Sequence, residues 1–329
     1  MNTVLITGGL GFVGTNIVKY LYRHTSYRIA IFDRPYPDTI LNKHPVMQLG
    51  NRILFHPGDL LDRKSIDRAV RGSMYVIHLA ARTHARESLA DPVAVYETNV
   101  MGTAYFLESS RKYGVRRFIQ FSSCEVYGNR IPGRPMDESH PLNPVTPYAA
   151  SKVAGDRLAS AYFESYHFPV VIVRPFNMYG PYQMPDKMIP LFIKRLVAEK
   201  PITLNNGGRS RRDFIAVTDV AYVVQRLLTA PQGDVCGEVF NIGTGKVMSV
   251  RSIAKQLIIL LKKPSSLLVP KENAVTETMN NVGISKKIAR VLHWKPSMSV
   301  TEGLRKTTAW YLRHQQWLNQ FTDSVDQRL

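Results

Sequence analysis

A glycine-rich turn near the N-terminus constrains the fold of this 329-residue chain more than any other stretch. Gly8, Gly11 and Gly14 follow the apolar run Val4-Leu5-Ile6, which is typical of a short buried strand. The segment Phe12 to Tyr22 carries apolar residues at helical spacing. Glycines between a strand and a helix let backbone N–H groups approach a pyrophosphate at the positive end of the helix. The pattern predicts a dinucleotide-binding turn, with an ordinary strand–helix turn as the alternative.

Further strand candidates alternate with helical segments through the first half of the chain. Such alternation predicts an α/β fold, a Rossmann-like doubly wound parallel sheet with helices on both faces. The strand candidates are Val4–Ile6, Ile29–Phe32, Ile53–Phe55, Tyr75–Leu79, Phe118–Phe121 and Val170–Val173. The helical candidates are Phe12–Tyr22, Arg63–Arg71, Val93–Tyr113 and Tyr148–Tyr166.

A change in composition at Arg174-Pro175 predicts a domain boundary. Beyond it prolines are frequent and the alternation is less regular. We therefore expect a dinucleotide-binding domain over residues 1–174 and a smaller C-terminal domain over 175–329. Some segments of the second half, about 213–255, are expected to return to the first domain.

The end of the second predicted strand indicates which dinucleotide binds. Asp33 lies 19 residues after Gly14, and a carboxylate there accepts hydrogen bonds from ribose hydroxyls and repels a 2′-phosphate. This favours NAD, although the neighbouring Arg34 could receive a phosphate. Asp59, in a loop after the third strand, is placed to reach the adenine amino group.

Composition bounds the partners and the compartment. The net charge of +18 is compatible with anionic substrates or with scattered surface charge, and no nucleic-acid-binding motif accompanies it. No apolar run has the length of a membrane span, and no signal peptide is evident. Two cysteines form no disulfide framework, which favours a reducing cytoplasm. His78 and His84 lack companions at zinc-ligand spacing, so no metal is expected.

Two short pieces carry residues suited to proton transfer. Tyr148 and Lys152 are four residues apart on a predicted helix and project from the same face. A phenol has an ordinary pKa of about 10, which a nearby ammonium group and a positive nicotinamide ring would lower into a working range. The segment Ser123-Cys124-Glu125 follows the fifth predicted strand, at the edge of the sheet where ligands bind.

Taken together, these motifs resemble the extended short-chain dehydrogenase/reductase family, and within it the NAD-dependent nucleotide-sugar epimerases and dehydratases. The resemblance runs almost from end to end. It rests on Gly8-x-x-Gly11-x-x-Gly14, His78-Leu79-Ala80-Ala81, Ser123, Tyr148-x-x-x-Lys152, Arg174-Pro175-Phe176-Asn177-x-Tyr179-Gly180-Pro181, Arg212-Asp213-Phe214 and Asn241-Ile242-Gly243-Thr244-Gly245.

The resemblance implies roles for individual residues. Tyr148, assisted by Ser123 and Lys152, would remove the proton of a sugar 4-hydroxyl while hydride passes from C4 to NAD. It also implies a mainly nucleotide-sugar-binding C-terminal domain and a homodimer formed through the Val93–Tyr113 and Tyr148–Tyr166 helices. The residues implied to hold NAD are Gly8, Gly11, Phe12, Val13, Asp33, Asp59, Leu60, Leu79, Ala80, Ala81, Asn99, Tyr148 and Lys152.

Three positions resemble substrate contacts of the family. Ser88 falls in a segment expected to be a loop facing the sugar. Asn177 and Arg212 resemble contacts to the nucleotide diphosphate, for which the planar guanidinium group is well suited. The expected substrate is a nucleotide-diphosphate sugar, with a UDP-sugar favoured.

The pair Cys124-Glu125 bears on the steps that follow oxidation at C4. In hexose 4,6-dehydratases a glutamate at the position of Glu125 takes the C5 proton, and the preceding acid protonates the departing 6-hydroxyl. Cys124 departs from that acid, and the pair most resembles the tunicamycin-type UDP-N-acetylglucosamine 5,6-dehydratase. We therefore expect a dehydratase in which Glu125 is the C5 base. The alternatives are a 4-epimerase, a UDP-glucuronate decarboxylase and a catalytically silent cofactor-binding regulator.

Overall fold

A seven-stranded sheet, parallel throughout, dominates the computed structural model, which describes residues 1–35, 44–129, 131, 134, 136–272 and 280–321. The strands, numbered in chain order, are β1 (Thr3–Thr7), β2 (Arg28–Asp33), β3 (Ile53–Pro57), β4 (Tyr75–His78), β5 (Arg117–Phe121), β6 (Val170–Pro175) and β10 (Val239–Ile242). Their spatial order is β10-β6-β5-β4-β1-β2-β3. The order reverses between β1 and β4, where ligands bind in open sheets of this kind. The predicted Rossmann-like class is confirmed.

Helices connect these strands and cover the sheet. They are α1 (Phe12–His24), α2 (Arg63–Val70), α3 (Ala85–Ala90), α4 (Pro92–Tyr96), α5 (Gly102–Lys112) and α6 (Pro147–Tyr166). The prediction of one continuous helix over Val93–Tyr113 is wrong, because a π-helical turn, Glu97–Met101, separates α4 from α5. Such turns are rare and occur often at functional sites.

The second half of the chain completes the first core. Strand β10 pairs with β6, and helix α8 (Val217–Thr229) packs with α1 against the sheet. Helix α11 (Lys286–Leu292) joins the same apolar cluster, a second return that no sequence pattern predicted.

A smaller second core lies under the remaining elements. It contains a mixed sheet and a separate two-stranded parallel sheet. The strands are β7 (Asn177–Tyr179), β8 (Ile202–Asn205), β9 (Arg211–Ala216), β11 (Val247–Ser249), β12 (Leu268–Lys271) and β13 (Asn280–Asn281). The helices in this half are α7 (Met188–Val197), α9 (Gln232–Val235), α10 (Val250–Leu261), α12 (Val300–Arg313) and α13 (Gln315–Asn319).

The segment predicted to return to the first domain, about 213–255, is divided between the two cores. Residues 215–242 contribute to the core of the large sheet, whereas α10 packs in the second core with α7 and α12. The domain division at residue 174 remains a prediction. None of the helices in the described ranges has the length and hydropathy of a bilayer-spanning segment.

Candidate active site

The glycine-rich turn leaves no room for side chains at two of its positions. Gly8 has φ of 66°, and a Cβ there would lie 3.0 Å from the Cα of Ala80. A Cβ at Gly14 would lie 2.2 Å from the carbonyl oxygen of Gly8. The turn is therefore a bare backbone cradle between the ends of β1 and β4, of the kind that accepts a pyrophosphate.

Helix α1 begins directly at this cradle. Gly11 is its N-cap residue and donates its N–H to the carbonyl oxygen of Gly8 (3.1 Å). The first helical residues, Phe12 and Val13, are half-buried. The unpaired N–H groups of this first turn give the cradle its attraction for anions.

A buried polar network holds the end of β4 against β1. The N–H groups of Leu79 and Ala80 donate to Oγ1 of Thr7 (3.1 and 3.0 Å). The Thr7 hydroxyl lies 2.9 Å from Nδ1 of His78, whose Nε2 lies 3.2 Å from Oγ1 of Thr103. Burial and the charge of Lys152 lower the pKa of His78 to about 3, so the ring stays neutral. His78 is thus a structural residue of the sheet edge.

Two carboxylates follow the next strands. Asp33 ends β2 and accepts hydrogen bonds from the N–H groups of Leu10 (3.0 Å) and Arg34 (2.9 Å), which tie it to the glycine-rich turn. Burial raises the pKa of Asp33, and these hydrogen bonds oppose the rise. Asp59 is exposed just after β3, whereas Leu60 is buried in the core. Asp33 therefore stands beside the cradle, where a ribose is expected.

The π-helical turn Glu97–Met101 directs Asn99 inwards. Its carboxamide accepts from the N–H of Arg82 (2.8 Å) and donates to the carbonyl oxygen of the same residue (3.0 Å). Its amide nitrogen also lies 2.9 Å from Oγ of Ser151. Asn99 thus joins the segment after β4 to the helix that carries Lys152, and the site depends on an element that helical periodicity did not predict.

The tyrosine and the lysine are both buried in the site. Tyr148 and Lys152 are 9% and 6% exposed on α6. Burial and the carboxylate of Glu125 raise the pKa of Tyr148 well above its ordinary value, while a hydrogen bond with Ser123 opposes the rise. Burial lowers the pKa of Lys152 to about 8, and the charge of Asp156 works against that change. The folded chain alone therefore does not lower the pKa of the phenol. A further positive charge is required to lower it.

The remaining reactive residues share one short turn. Ser123 follows β5, and its Oγ accepts the N–H of Glu125 (3.2 Å) at the start of the 3₁₀ turn Cys124–Tyr127. Gly128 ends the turn with φ of 65°, where a Cβ would lie 1.9 Å from the carbonyl oxygen of Asn143. This tight exit keeps the three consecutive side chains at the carboxyl end of β5.

Glu125 is half-buried between positive charges. Burial raises its pKa, and the charges of Arg212 and Lys187 oppose the rise. Cys124 is 4% exposed, and burial together with the Glu125 carboxylate raises the pKa of its thiol well above the ordinary value. The site thus contains a carboxylate poised to accept a proton beside a thiol that stays protonated.

The three predicted substrate residues occupy different environments. Arg212 on β9 faces Glu125, and the neighbouring Asp213 is buried. Asn177 on β7 donates its side-chain N–H to the carbonyl oxygen of Asp213 (3.0 Å). Ser88 is fully buried in α3, so the expectation of a loop at this position is wrong.

The sequence motifs did not single out two charged residues near the site, Lys187 and Asp156. Lys187, just before α7, acts on Glu125, and Asp156 forms a buried ion pair with Arg174 (2.9 Å). Asp156 lies one helical turn after Lys152, and this spacing was the one available clue. Within the described ranges, no cluster of three or more His, Cys, Asp or Glu side chains could hold a metal ion.

Comparison with known proteins identifies relatives along the whole chain. A family model described as the NAD dependent epimerase/dehydratase family matches residues 4–243. The dTDP-D-glucose 4,6-dehydratase of Homo sapiens is 35% identical over 319 residues, covering 94% of this chain and 89% of the relative. The crystal structure of the dTDP-glucose 4,6-dehydratase DesIV from Streptomyces venezuelae, with NAD bound, has a TM-score of 0.88 at 32% identity and covers 96% and 98% of the two chains. The UDP-glucose 4-epimerase of Thermotoga maritima, with UDP-glucose, has a TM-score of 0.86 at 27% identity over 95% and 99%.

Proposed function

The chain belongs to the NAD dependent epimerase/dehydratase family and is an NAD-dependent enzyme, and from this premise we propose that it dehydrates a nucleotide-diphosphate sugar. Relatives named as dTDP-glucose 4,6-dehydratases support a dehydratase, and they match at higher identity than the epimerase above. The motif resemblance favours a UDP-sugar, and the names of these relatives add a dTDP-sugar as the second candidate.

The residues at the sheet edge suit the dinucleotide. The backbone cradle at Gly8 and Gly14 has no space for a Cβ, α1 points its N-terminus at the cradle, and Asp33 is held beside it. NAD, when bound there, would supply a hydride acceptor for C4 of the sugar and the positive charge that the phenolate of Tyr148 needs.

The side chains around the sugar have separate tasks. Tyr148 takes the proton of the 4-hydroxyl, and Ser123 holds the phenol oxygen. Lys152, one helical turn further along α6, favours the phenolate when it is charged. The ketone formed at C4 acidifies the C5–H bond, and Glu125 takes that proton. The half-buried carboxylate of Glu125 is the observation that carries the proposal, because an epimerase that only rotates the keto sugar needs no base at C5.

Loss of the 6-hydroxyl requires a proton that Cys124 is poorly suited to give. Burial and Glu125 raise the pKa of its thiol, so the thiol is a much weaker acid than a carboxylic acid. Glu125 itself carries a proton after it deprotonates C5, and it can pass this proton to the departing hydroxyl. Water then leaves from C5 and C6, and one carboxyl group serves both steps.

Water loss can lead to either of two products, and each product is favoured by a different observation. The named relatives favour 4,6-dehydration, which gives a 4-keto-6-deoxy sugar. The Cys124-Glu125 pair favours 5,6-dehydration, which gives an exocyclic alkene with the 4-hydroxyl restored. NMR separates them, because the first product has a C6 methyl group and the second has two alkene protons.

The decisive experiment uses the purified enzyme with NAD and either UDP-N-acetylglucosamine or dTDP-glucose. We expect the loss of one water by mass spectrometry; conversion with no mass change would instead show an epimerase. Carbon dioxide release from UDP-glucuronate would show a decarboxylase, and no turnover of any of the three would favour a regulator.

The role of Glu125 is tested with Glu125→Gln. This variant should still oxidise C4 of the sugar and reduce NAD. Its rate of solvent deuterium exchange at C5 should fall by about 10²–10⁴-fold. Glu164→Gln, at an exposed position of α6, is the matched control and should exchange normally. Exchange at the wild-type rate in Glu125→Gln would remove this residue from the mechanism.

A further inference from the structure

Three side chains outside the catalytic set connect two segments beside the site. His84 immediately precedes α3, and Asp186 and Lys187 immediately precede α7. Nε2 of His84 lies 3.0 Å from Oδ2 of Asp186, and Nζ of Lys187 lies 3.3 Å from Nδ1 of His84. Nζ of Lys187 is 3.8 Å from Oδ2 of Asp186. We call this group the His84 triad.

The geometry determines where the protons are. An ammonium group can only donate, so Nδ1 of His84 must accept the hydrogen bond from Lys187. Nε2 then carries the ring proton and donates it to Asp186. In this arrangement the imidazole bridges a cation and an anion in a single tautomer.

Asp186 depends on this bridge. Its side chain is only 11% exposed, and no donor within the described ranges reaches its buried Oδ1. Burial raises the pKa of Asp186, but the hydrogen bond from His84 and the charge of Lys187 more than offset this, so that its pKa lies below the ordinary value. Without His84, the nearest compensation for this buried charge is a closed ion pair with Lys187, now held at 3.8 Å.

Lys187 has a second anion within its reach. Glu125 experiences the charge of Lys187 from one side and that of Arg212 on β9 from another. Two further titratable groups act electrostatically with Glu125, namely Tyr148 on α6 and Cys124 in its own turn. The charge of Lys187, together with that of Arg212, thus favours the base as a carboxylate.

We propose that His84 is a positioning residue, which holds Lys187 away from a closed ion pair with Asp186 and keeps its charge on the side of Glu125. This inference rests on the proposed role of Glu125 as the C5 base. His84→Ala lets Lys187 close onto Asp186, so Glu125 loses part of the favourable field. Lys187→Met removes the contribution of Lys187 altogether and leaves that of Arg212.

The test measures how the rate of deuterium exchange at C5 depends on pH. It uses the enzyme with NAD and a nucleotide sugar that the enzyme converts. His84→Ala should move the midpoint of the acid limb upwards by up to about 1 pH unit, and Lys187→Met by at least as much. His84→Gln should restore the wild-type midpoint, because its amide can accept from Lys187 and donate to Asp186. In the Lys187→Met background, His84→Ala should cause no further shift. His24→Ala, at an exposed position of α1, should leave the profile unchanged.

Unshifted midpoints in His84→Ala, or an equal shift with and without Lys187, would overturn the inference. A readout that needs no catalysis separates this failure from a failure of the proposed function. In ¹⁵N NMR of the enzyme with NAD, the His84 ring should carry its proton on Nε2 alone at pH 7, and Lys187→Met should alter the Nδ1 signal. A doubly protonated ring or an Nδ1–H tautomer would refute the bridge, whatever reaction the enzyme catalyses.

Discussion

Tyr148 and Lys152 show a conflict between stability and catalysis at the scale of single residues. Burial raises the pKa of the phenol and lowers that of the amine to about 8, so the fold disfavours the charged form of both. The proton transfer that we propose at C4 requires a phenolate beside an ammonium group. The folded chain therefore maintains the pair at a cost that the bound positive ring and substrate must offset.

We expect Lys152→Met to make the nucleotide-free protein more stable at pH 7, although it abolishes turnover. The pKa of Lys152 is about 8 in the folded chain against 10.5 as its ordinary value, a difference worth about 3 kcal/mol at most. Between these values the unfolded state binds more protons, so the wild-type free energy of unfolding rises with pH there. The advantage of Lys152→Met should accordingly be largest below pH 8 and shrink towards pH 10.

Urea unfolding at pH 7, 8, 9 and 10 measures this difference. Lys255→Met, at an exposed position of α10, is the matched control and should show no pH-dependent gain. A destabilised Lys152→Met at pH 7, or a difference independent of pH, would contradict the prediction.

The glycine-rich turn is the element on which we expect NAD binding to depend. The turn can close against α1 and β4 because its glycines have no side chains. Gly14 faces the backbone of Gly8 and Gly9 at distances that no Cβ tolerates. A substitution here must move backbone rather than a flexible side chain. The element should therefore respond to change far more strongly than a glycine in open space.

Gly14→Ala should weaken NAD binding by more than 10-fold and lower the free energy of unfolding by about 2 kcal/mol or more. The reason is the 2.2 Å approach of the added Cβ to the carbonyl oxygen of Gly8. Gly233→Ala is the control, because nothing lies within 4 Å of a Cβ at this helical position. Calorimetric titration of NAD and urea unfolding measure both effects, and equal behaviour of the two variants would disprove the argument.

At the scale of the whole molecule, exposed apolar side chains recur along three consecutive elements, which we call the apolar face. Leu89, Val93, Tyr96 and Met101 are 64%, 62%, 40% and 43% exposed along α3, α4 and the π-helical turn. Contiguous apolar surface of this kind marks protein interfaces. The face adjoins α6, the second helix through which the family resemblance implies a homodimer.

Leu89→Glu combined with Val93→Glu should convert a dimer into a monomer, since two carboxylates per subunit would be buried without partners. Light scattering after size-exclusion chromatography measures the mass. Ile259→Glu, at a 74% exposed position of α10, should leave the mass unchanged. A wild-type monomer, or a double variant that remains dimeric, would exclude this face.

Much of this molecule could be predicted from local pattern alone. Strand and helix periodicity placed β1 to β6 and most connecting helices, because alternation and helical spacing are short-range properties. The turn at Gly8, the carboxylate of Asp33 and the consecutive Ser123, Cys124 and Glu125 were likewise visible. Their positions follow from where each strand ends.

The surroundings of those residues, by contrast, follow from how distant segments pack together. Strand β10 joined the large sheet, the π-helical turn directed Asn99 inwards, and Arg212 and Lys187 converged on Glu125. Burial and the carboxylate of Glu125 raise the pKa of Tyr148 in the chain without NAD, an effect that spacing along the helix could not indicate. The physical reason is that spacing along the chain determines which groups can share a strand or a helical face, whereas charge, desolvation and the partners of a buried group depend on segments that meet only when the whole chain has folded.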